Sequence, residues 1–271
     1  MSGYWRRLQD VTSERGPLCV GIDPHPGLLR AWDLPETAAG VERFSRQLVA
    51  ALGDQVAAFK PQSAFFEAYG SAGVAVLERL LTDIAGCGAL SIVDAKRGDI
   101  GSTMEAYADA YLADGSPLAG DAVTLSPYLG FGSLAPAFER AQRYERGVYV
   151  LARTSNPEGG SVQLALTQDG SVVQSIIDAA TEANRASRLR SIGLVVGGTH
   201  ESLGCDLSEF NASILVPGIG FQGGRMSDLP GLFGDATDQV LAVVGRGVIG
   251  SGPDANAMRA KVSQLLSEAG R

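Results

Sequence analysis

The sequence lacks the features of several large protein classes. It has 3 cysteines in 271 residues, and Cys19, Cys87 and Cys205 form no CxxC pair. These cysteines fit neither a zinc site nor a disulfide framework, so we expect reduced thiols in a cytoplasmic protein. No apolar run reaches the roughly 18 residues that a membrane-spanning helix needs. The polar N-terminus shows no secretory signal pattern.

Positive charge is also scarce. The chain carries 22 basic and 30 acidic residues, which gives a net charge of -8. This balance argues against broad binding to nucleic acid or to an anionic membrane, although a local positive pocket can still hold an anionic substrate. With 45% hydrophobic residues, the chain is too apolar for disorder and can bury a large core.

Eight short apolar runs recur along the chain. Each has four or five residues and is continuous rather than alternating, which is typical of parallel strands covered on both faces. Stretches with helical spacing lie between most of the runs, and Ser102-Thr103-Met104-Glu105 is a capping-box pattern that predicts a helix start after the third run. The runs cover residues 18–22, 56–59, 90–93, 122–125, 148–151, 192–196, 213–216 and 240–244.

The order of these segments predicts the fold class. Eight strand–helix units in about 250 residues favour an α/β protein, a single (β/α)8 TIM barrel that spans residues 1–271 as one domain. A doubly wound open sheet is the alternative. The longest irregular segment, residues 154–171, follows the fifth strand, and we expect it to be a loop on the active-site face.

Charged residues follow several of the predicted strands. Reactive residues of such barrels gather at the carboxyl ends of the strands. Asp23 follows the first run, Lys60 the second, and Asp94, Lys96 and Asp99 the third. Because Asp94 and Lys96 are two residues apart at a strand end, we expect both side chains on one side, with the carboxylate holding the lysine charged. A structural ion pair is the alternative, and Lys60 on the next strand favours a catalytic cluster.

A second pattern indicates a phosphate site. The glycine-rich segment 217–224 follows the seventh run, and Gly245 and Arg246 follow the eighth. Loops at these two places often bind phosphate in this fold, through backbone N–H groups and an arginine. The segment also matches a dinucleotide fingerprint. However, it lies late in the chain, and no ribose-binding acid ends the next strand, so we disfavour that interpretation.

These residues resemble the orotidine 5′-phosphate decarboxylase family, and the resemblance to its longer-chain group covers essentially the whole sequence. The family's D-x-K-x-x-D motif matches Asp94, Lys96 and Asp99. The lysine that precedes the motif matches Lys60, and the aspartate after the first strand matches Asp23. The resemblance implies decarboxylation of orotidine 5′-monophosphate to UMP in pyrimidine biosynthesis, without cofactor or metal. It implies catalytic roles for Lys96, Asp94, Lys60 and Asp99, with Lys96 stabilising and protonating ring carbon C6.

The resemblance also implies how the nucleotide is bound. Asp23 would contact the ribose, Ser155 the pyrimidine, and Gln222 with the backbone of Gly245 and Arg246 the phosphate. Residues at the positions of Asp99, Ile100 and Thr103 reach the neighbouring subunit's site in the family, so a homodimer with composite active sites is expected. The expected substrate-binding residues are Asp23, Ile100, Thr103, Ser155, Pro217, Gln222, Gly245 and Arg246.

Two other functions stay open on the motif alone. D-x-K-x-x-D is shared with related barrels, which decarboxylate keto-gulonate phosphate or condense formaldehyde with a pentose phosphate. Those proteins use magnesium and carry an acidic residue where Lys60 stands, which makes Lys60 the discriminating residue. A non-catalytic nucleotide-binding barrel is the other alternative. His25 and His200 have no identifiable nucleophile or orienting acid nearby, so neither is expected to take a direct chemical part.

Overall fold

A computed structural model describes residues 3–168, 170–187 and 189–270. Eight parallel strands close into a barrel, which confirms the predicted (β/α)8 TIM barrel and excludes the open sheet. Around the barrel the strands follow the order β1-β10-β9-β8-β5-β4-β3-β2, and β6 and β7 form a separate hairpin. The strands are β1 (Leu18–Ile22), β2 (Ala58–Pro61), β3 (Leu90–Arg97), β4 (Ala122–Leu125), β5 (Gly147–Arg153), β6 (Leu166–Thr167), β7 (Gly170–Ser171), β8 (Ile192–Val196), β9 (Ile214–Ile219) and β10 (Val240–Val244).

Helices connect the barrel strands and cover their outer faces. Within the described residues, none of them is long and apolar enough to cross a membrane. The helices are α1 (Tyr4–Arg15), α2 (Pro26–Ala31), α3 (Ala38–Leu52), α4 (Ser63–Glu67), α5 (Gly70–Gly86), α6 (Gly101–Leu112), α7 (Ala135–Arg143), α8 (Gly160–Gln163), α9 (Val172–Ser187), α10 (Leu229–Phe233), α11 (Arg246–Ile249) and α12 (Ala255–Glu268).

Four of the predicted strands have the observed bounds, namely those at 18–22, 122–125, 192–196 and 240–244. The apolar run at 56–59 places the second strand two residues too early, since β2 runs from Ala58 to Pro61. The third continues past the apolar run to Arg97, so Asp94 and Lys96 lie inside β3 rather than after it. Charged residues can extend a buried strand when they pair with each other, and hydrophobicity does not reveal such an extension.

Two local predictions are wrong in part. The segment 154–171 does border a cavity at the carboxyl ends of the strands, and a helix does follow the third run, but their details differ. The segment 154–171 is not irregular: it contains a 3-10 turn at Pro157–Gly159, helix α8 and the β6–β7 hairpin, and Asp169 in it lies outside the described residues. The hairpin strands have two residues each and β6 is exposed, so they show no apolar pattern. The capping box does not form, because α6 begins at Gly101 with Ile100 as its uncapped N-cap residue.

Helix α1 closes the amino-terminal end of the barrel. Its Tyr4, Leu8 and Val11 pack among the side chains of the barrel interior. The hydroxyls of Tyr4 and Tyr149 lie 2.9 Å apart, and Tyr149 donates to Oγ of Ser213 at 2.9 Å. Burial raises the pKa of both tyrosines, so the hydroxyls stay protonated. Among the described residues, this packing fills the amino-terminal end of the barrel interior.

Two strand glycines make room for these tyrosines. A Cβ at Gly147 would lie 2.4 Å from a ring carbon of Tyr4, and one at Gly193 would lie 2.6 Å from the ring of Tyr149. Such distances are far inside van der Waals contact. The tyrosines therefore pack directly against the backbone of β5 and β8.

Candidate active site

The carboxyl ends of the strands surround one cavity of about 540 Å³. Nine of the twelve predicted site residues line it, although they come from loops and strands spread over the whole chain. Asp99, Ile100 and Thr103 do not line it. The nine are Asp23, Lys60, Asp94, Lys96, Ser155, Pro217, Gln222, Gly245 and Arg246.

The carboxylate of Asp94 is the centre of the site. Its Oδ2 accepts hydrogen bonds from Nζ of Lys60 at 2.6 Å and from Nε2 of Gln62 at 3.0 Å. Its Oδ1 accepts from Nζ of Lys96 at 2.6 Å and from Oγ1 of Thr124 at 2.8 Å. Each oxygen thus receives one ammonium and one neutral donor. The chain has only three lysines, and two of them meet at this carboxylate.

The surrounding charges keep Lys60 and Asp94 ionised. Burial lowers the pKa of Lys60, but the carboxylates of Asp94 and Asp23 outweigh burial and raise it above its usual value. Burial raises the pKa of Asp94, and the ammonium groups of Lys60 and Lys96 outweigh it, so this pKa lies well below the usual range. At neutral pH the site therefore holds a carboxylate rather than a carboxylic acid, and a charged Lys60.

The predicted contact between Asp94 and Lys96 is confirmed, but simple strand alternation does not produce it. The pairing of β3 with β4 shifts register between Val93 and Arg97. Within this stretch Lys96 has a φ of 48°, in the left-handed region. The side chain of Lys96 is 45% exposed and that of Lys60 only 8%. Lys96 therefore projects into the cavity, whereas the buried Lys60 forms part of its floor.

Two charged groups on the cavity wall have unused hydrogen-bonding capacity. Oδ1 of Asp23 is buried without a partner among the residues described. The guanidinium of Arg246 lies 3.6 Å from the ring centroid of Phe221, and over the same part of the chain it makes no ion pair or hydrogen bond. Asp23 can accept hydrogen bonds from ligand hydroxyls, and Arg246 can bind an anion through its planar donors.

The predicted glycine-rich loop shapes the cavity beside Arg246. Gly218 and Gly220 have φ values of 103° and 83°, a region that favours glycine. A Cβ at Gly224 would lie 2.7 Å from the carbonyl oxygen of Gly198. The loop therefore depends on glycine both for its turns and for its close approach to the neighbouring loop.

The loop that carries Ser155 is fixed through its neighbour Thr154. Oε1 of Gln163 accepts from the backbone N–H of Thr154 at 3.0 Å, and Nε2 of Gln163 donates to Oγ1 of Thr154 at 2.7 Å. The backbone oxygen of Thr154 lies 3.0 Å from Nε2 of His200. His200 does not line the cavity, and its contact supports the loop.

Sequence reasoning missed Gln62 and Thr124, which complete the shell around Asp94. Gln62 stands two residues after Lys60, so the alternation of a strand places both side chains on one side. Thr124 is the one polar residue of an otherwise apolar run and is 1% exposed. A polar residue inside a buried run is the available signal, because buried hydroxyls need hydrogen-bond partners.

The fold and the site define a class of protein. A (β/α)8 barrel with a lysine–aspartate–lysine cluster in the same cavity as a free arginine and a glycine-rich loop is typical of enzymes that act on phosphorylated small molecules. The sequence profile of the orotidine 5′-phosphate decarboxylase / HUMPS family matches residues 16–260. The chain belongs to this family.

Individual relatives agree with this membership. The orotidine 5′-phosphate decarboxylase of Salinispora tropica is 52% identical over 270 residues, which cover 99% of this chain and 97% of the relative. A crystal structure of a candidate orotidine 5′-phosphate decarboxylase from Streptomyces avermitilis is 50% identical, with a TM-score of 0.93 over 99% of this chain and 95% of the other. The Leishmania donovani OMP decarboxylase is 28% identical, with a TM-score of 0.79 over 99% and 100% of the two chains.

The lowered pKa of Asp94 predicts how stability depends on pH. A carboxyl with a lower pKa in the folded state stabilises the fold above its unfolded pKa of about 3.9, and this contribution is lost as the pH falls toward the folded value. Asp94→Asn removes that dependence. We therefore expect the free energy of unfolding in urea to fall less steeply below pH 4 in the variant, by up to about 1.4 kcal/mol per pH unit.

Asp10→Asn is the matched control for this measurement, because Asp10 pairs with Arg6 on the surface and is 63% exposed. Exposed pairs contribute little to stability, so its curve should run parallel to that of the wild type between pH 3 and 6. Parallel curves for Asp94→Asn and wild type would show that Asp94 is not held ionised as described.

Proposed function

We propose that this chain decarboxylates orotidine 5′-monophosphate to UMP, a carbon–carbon lyase reaction of pyrimidine biosynthesis, without a cofactor and in the cytoplasm. The family membership and the relatives named for this reaction support the proposal. The single observation that carries it is the ammonium of Lys96, 2.6 Å from the buried carboxylate of Asp94 in a cavity shared with Arg246.

The chemistry requires a fixed positive charge. The bond between C6 and the carboxylate breaks, CO2 leaves, and the electron pair stays on C6, where no adjacent carbonyl can accept it. The Lys96 ammonium beside C6 interacts more strongly as this charge develops, which is differential stabilisation of the transition state. At about 4 Å and an effective dielectric near 20, one such contact is worth about 4 kcal/mol. Lys96 then gives its proton to C6 and regains one from solvent.

Asp94 and Lys60 support this lysine. Asp94 directs the ammonium of Lys96, because Nζ of Lys96 bonds to Oδ1 of Asp94. Lys60, which is 6% exposed, neutralises the other oxygen of Asp94. Repulsion between Asp94 and the substrate carboxylate would also raise the ground state, but holding Lys96 is the role that we assign to Asp94.

The magnesium-dependent lyases are disfavoured by the same cluster. Their acidic residue is replaced by Lys60, whose ammonium occupies Oδ2 of Asp94 at 2.6 Å. A divalent cation at that oxygen would be repelled by the ammonium. Among residues 3–168, 170–187 and 189–270, no three His, Cys, Asp or Glu side chains are grouped to hold a metal ion.

Lys96→Ala should remove decarboxylation while the protein stays folded. Loss of a contact worth about 4 kcal/mol lowers turnover by about 10³-fold, and loss of the proton donor adds to this. Turnover is followed by the change in ultraviolet absorbance of orotidine 5′-monophosphate in the presence of EDTA, and folding by circular dichroism.

The third lysine of the chain, Lys261 on α12, offers the matched control, because its ammonium donates to Gln264 on the surface. Lys261→Ala should keep wild-type turnover. Substantial turnover by folded Lys96→Ala would refute the mechanism, and wild-type activity that is lost in EDTA would favour a metal-dependent lyase.

The remaining cavity residues are assigned to substrate binding. Asp23, with a free carboxylate oxygen, would accept hydrogen bonds from the ribose hydroxyls, and Ser155 would contact the pyrimidine. Arg246 and Gln222, with the backbone of Gly245 and the loop that begins at Pro217, would bind the phosphate. Binding energy from the phosphate, remote from C6, would be used to orient the pyrimidine against Lys96.

Arg246→Ala should mainly raise the KM for orotidine 5′-monophosphate. A hydrogen bond to a charged group contributes about 1.5–3 kcal/mol, so we expect a rise of about 10- to 100-fold with a smaller change in kcat. Arg225→Ala is the control, since Arg225 pairs with Asp228 and is 72% exposed. An unchanged KM for Arg246→Ala in steady-state kinetics would show that the phosphate site is misplaced.

We further propose that the enzyme is a homodimer with composite sites. Asp99, Ile100 and Thr103 do not line the cavity of their own chain, and Ile100 is 63% exposed. Tyr128 and Leu129, after the neighbouring strand β4, are 81% and 53% exposed. Large exposed apolar side chains grouped on one rim are typical of an interface. Across it, Asp99 would reach the Lys96 of a second copy.

Mixed dimers test this arrangement. We expect Lys96→Ala and Asp99→Ala each to be nearly inactive, and their co-expressed mixture to recover about a quarter of wild-type turnover, because half of the dimers are mixed and one of their two sites is intact. The control mixture pairs Lys96→Ala with the double variant Lys96→Ala/Asp99→Ala and should recover nothing. If the mixture of Lys96→Ala and Asp99→Ala is no more active than the two variants assayed separately, a composite site is excluded.

A further inference from the structure

Strand β3 contains an irregularity at the catalytic cluster. Ile92 pairs with Ala122 and Val93 with Val123, but the next pair joins Arg97 to Leu125. Three residues of β3, numbers 94–96, therefore lie opposite a single residue of β4, Thr124. A bulge of this kind breaks the regular backbone ladder and redirects side chains, and the N–H groups that it displaces need other acceptors.

Thr124 provides one of these acceptors through its side chain. The backbone N–H of Lys96 donates to Oγ1 of Thr124 at 3.0 Å. Lys96 is also the residue with the left-handed φ of 48°, a conformation that disfavours a residue with a side chain and persists only where its surroundings hold it. The hydroxyl of Thr124 thus bonds directly to the strained residue.

The same hydroxyl also orients Asp94. Oγ1 of Thr124 donates to Oδ1 of Asp94 at 2.8 Å. An ionised carboxylate can only accept, so the proton of the hydroxyl points to Asp94 and its lone pairs receive the N–H of Lys96. Nζ of Lys96 bonds to the same Oδ1 at 2.6 Å. The backbone N–H of Lys96 therefore bonds to Oγ1 of Thr124, and its ammonium bonds to the carboxylate that the same hydroxyl contacts.

We propose that Thr124 is a positioning residue that aims the Lys96 ammonium by holding the β3 bulge and the rotation of Asp94. This inference rests on the proposed role of Lys96. Thr124 is 1% exposed and borders the floor of the cavity. Its hydroxyl bonds to the backbone N–H of Lys96 and to Oδ1 of Asp94, so it acts through these two residues. A displacement of about 1 Å in a catalytic group can lower a rate by about 10²-fold.

Thr124→Val and Thr124→Ser distinguish the effect of the hydroxyl from the effect of the side chain's shape. Valine keeps the β-branched shape that suits a strand but removes the hydroxyl, whereas serine keeps the hydroxyl and removes the methyl group. For Thr124→Val we expect kcat to fall by about 10- to 100-fold, with KM and the affinity for the product UMP within about 3-fold of wild type. Thr124→Ser should keep kcat within about 5-fold, because it restores both hydrogen bonds.

The kinetic pattern distinguishes positioning from a structural role. Unchanged kcat in Thr124→Val, or equal losses in Thr124→Val and Thr124→Ser, would overturn the proposal. Parallel losses of kcat, UMP affinity and near-ultraviolet circular dichroism would also overturn it, because they indicate general disruption of the barrel.

Lys96→Ala, assayed beside the Thr124 variants, tests the mechanism separately: if folded Lys96→Ala turns over substrate, the proposed role of Lys96 fails. If Lys96→Ala is inactive and Thr124→Val is normal, only the role of Thr124 fails.

Discussion

The site depends on one buried carboxylate with four hydrogen-bond donors. Transferring an ionised group from water into a protein costs several kcal/mol unless it is paired and hydrogen-bonded. Asp94 meets this condition with Lys60 and Gln62 on one oxygen and Lys96 and Thr124 on the other. Because each lysine has its own oxygen, loss of either contact would leave one oxygen of the buried carboxylate without its ammonium. The free-energy cost of burying the Asp94 carboxylate therefore favours the position in which the Lys96 ammonium contacts it.

The barrel makes this cluster possible by bringing together the ends of distant strands. Asp23, Lys60 and Asp94 follow or end successive parallel strands, and Arg246 follows the last one, β10, which pairs with β1. The opposite end is filled by α1 and its buried tyrosines. The buried cluster around Asp94 thus lies at one end of the barrel, while the packing of α1 fills the other. This division lets the reactive end contain polar groups that a hydrophobic core would exclude.

The bulge in β3 shows how local strain and function are linked. A regular strand would leave the N–H of Lys96 in the backbone ladder. Instead Lys96 adopts a left-handed conformation, and the side chain of Thr124 replaces the missing ladder partner. A conformation of this kind persists only where its surroundings hold it. The ammonium of Lys96 thereby projects into the cavity, while the buried Lys60 forms part of the cavity floor.

Much of the fold and of the site was predictable from the sequence. Continuous apolar runs identify buried parallel strands because both faces of such strands are covered, and this pattern determined the barrel. Charged residues such as Asp23, Lys60 and Asp94 stand out because they interrupt or end those runs. A polar residue within a run, such as Thr124, gives a weaker signal, since a hydroxyl does not reveal its partner.

The tertiary structure alone decided the rest. The register of β3 against β4 decides the left-handed backbone of Lys96 and the two hydrogen bonds of the Thr124 hydroxyl. Contacts between loops far apart in sequence decide where the guanidinium of Arg246 lies. Composition and periodicity report whether a residue is buried, because burial follows from average hydrophobicity. They do not report which atoms meet, because hydrogen bonds depend on distances of a few tenths of an ångström, and only the closed barrel sets those distances.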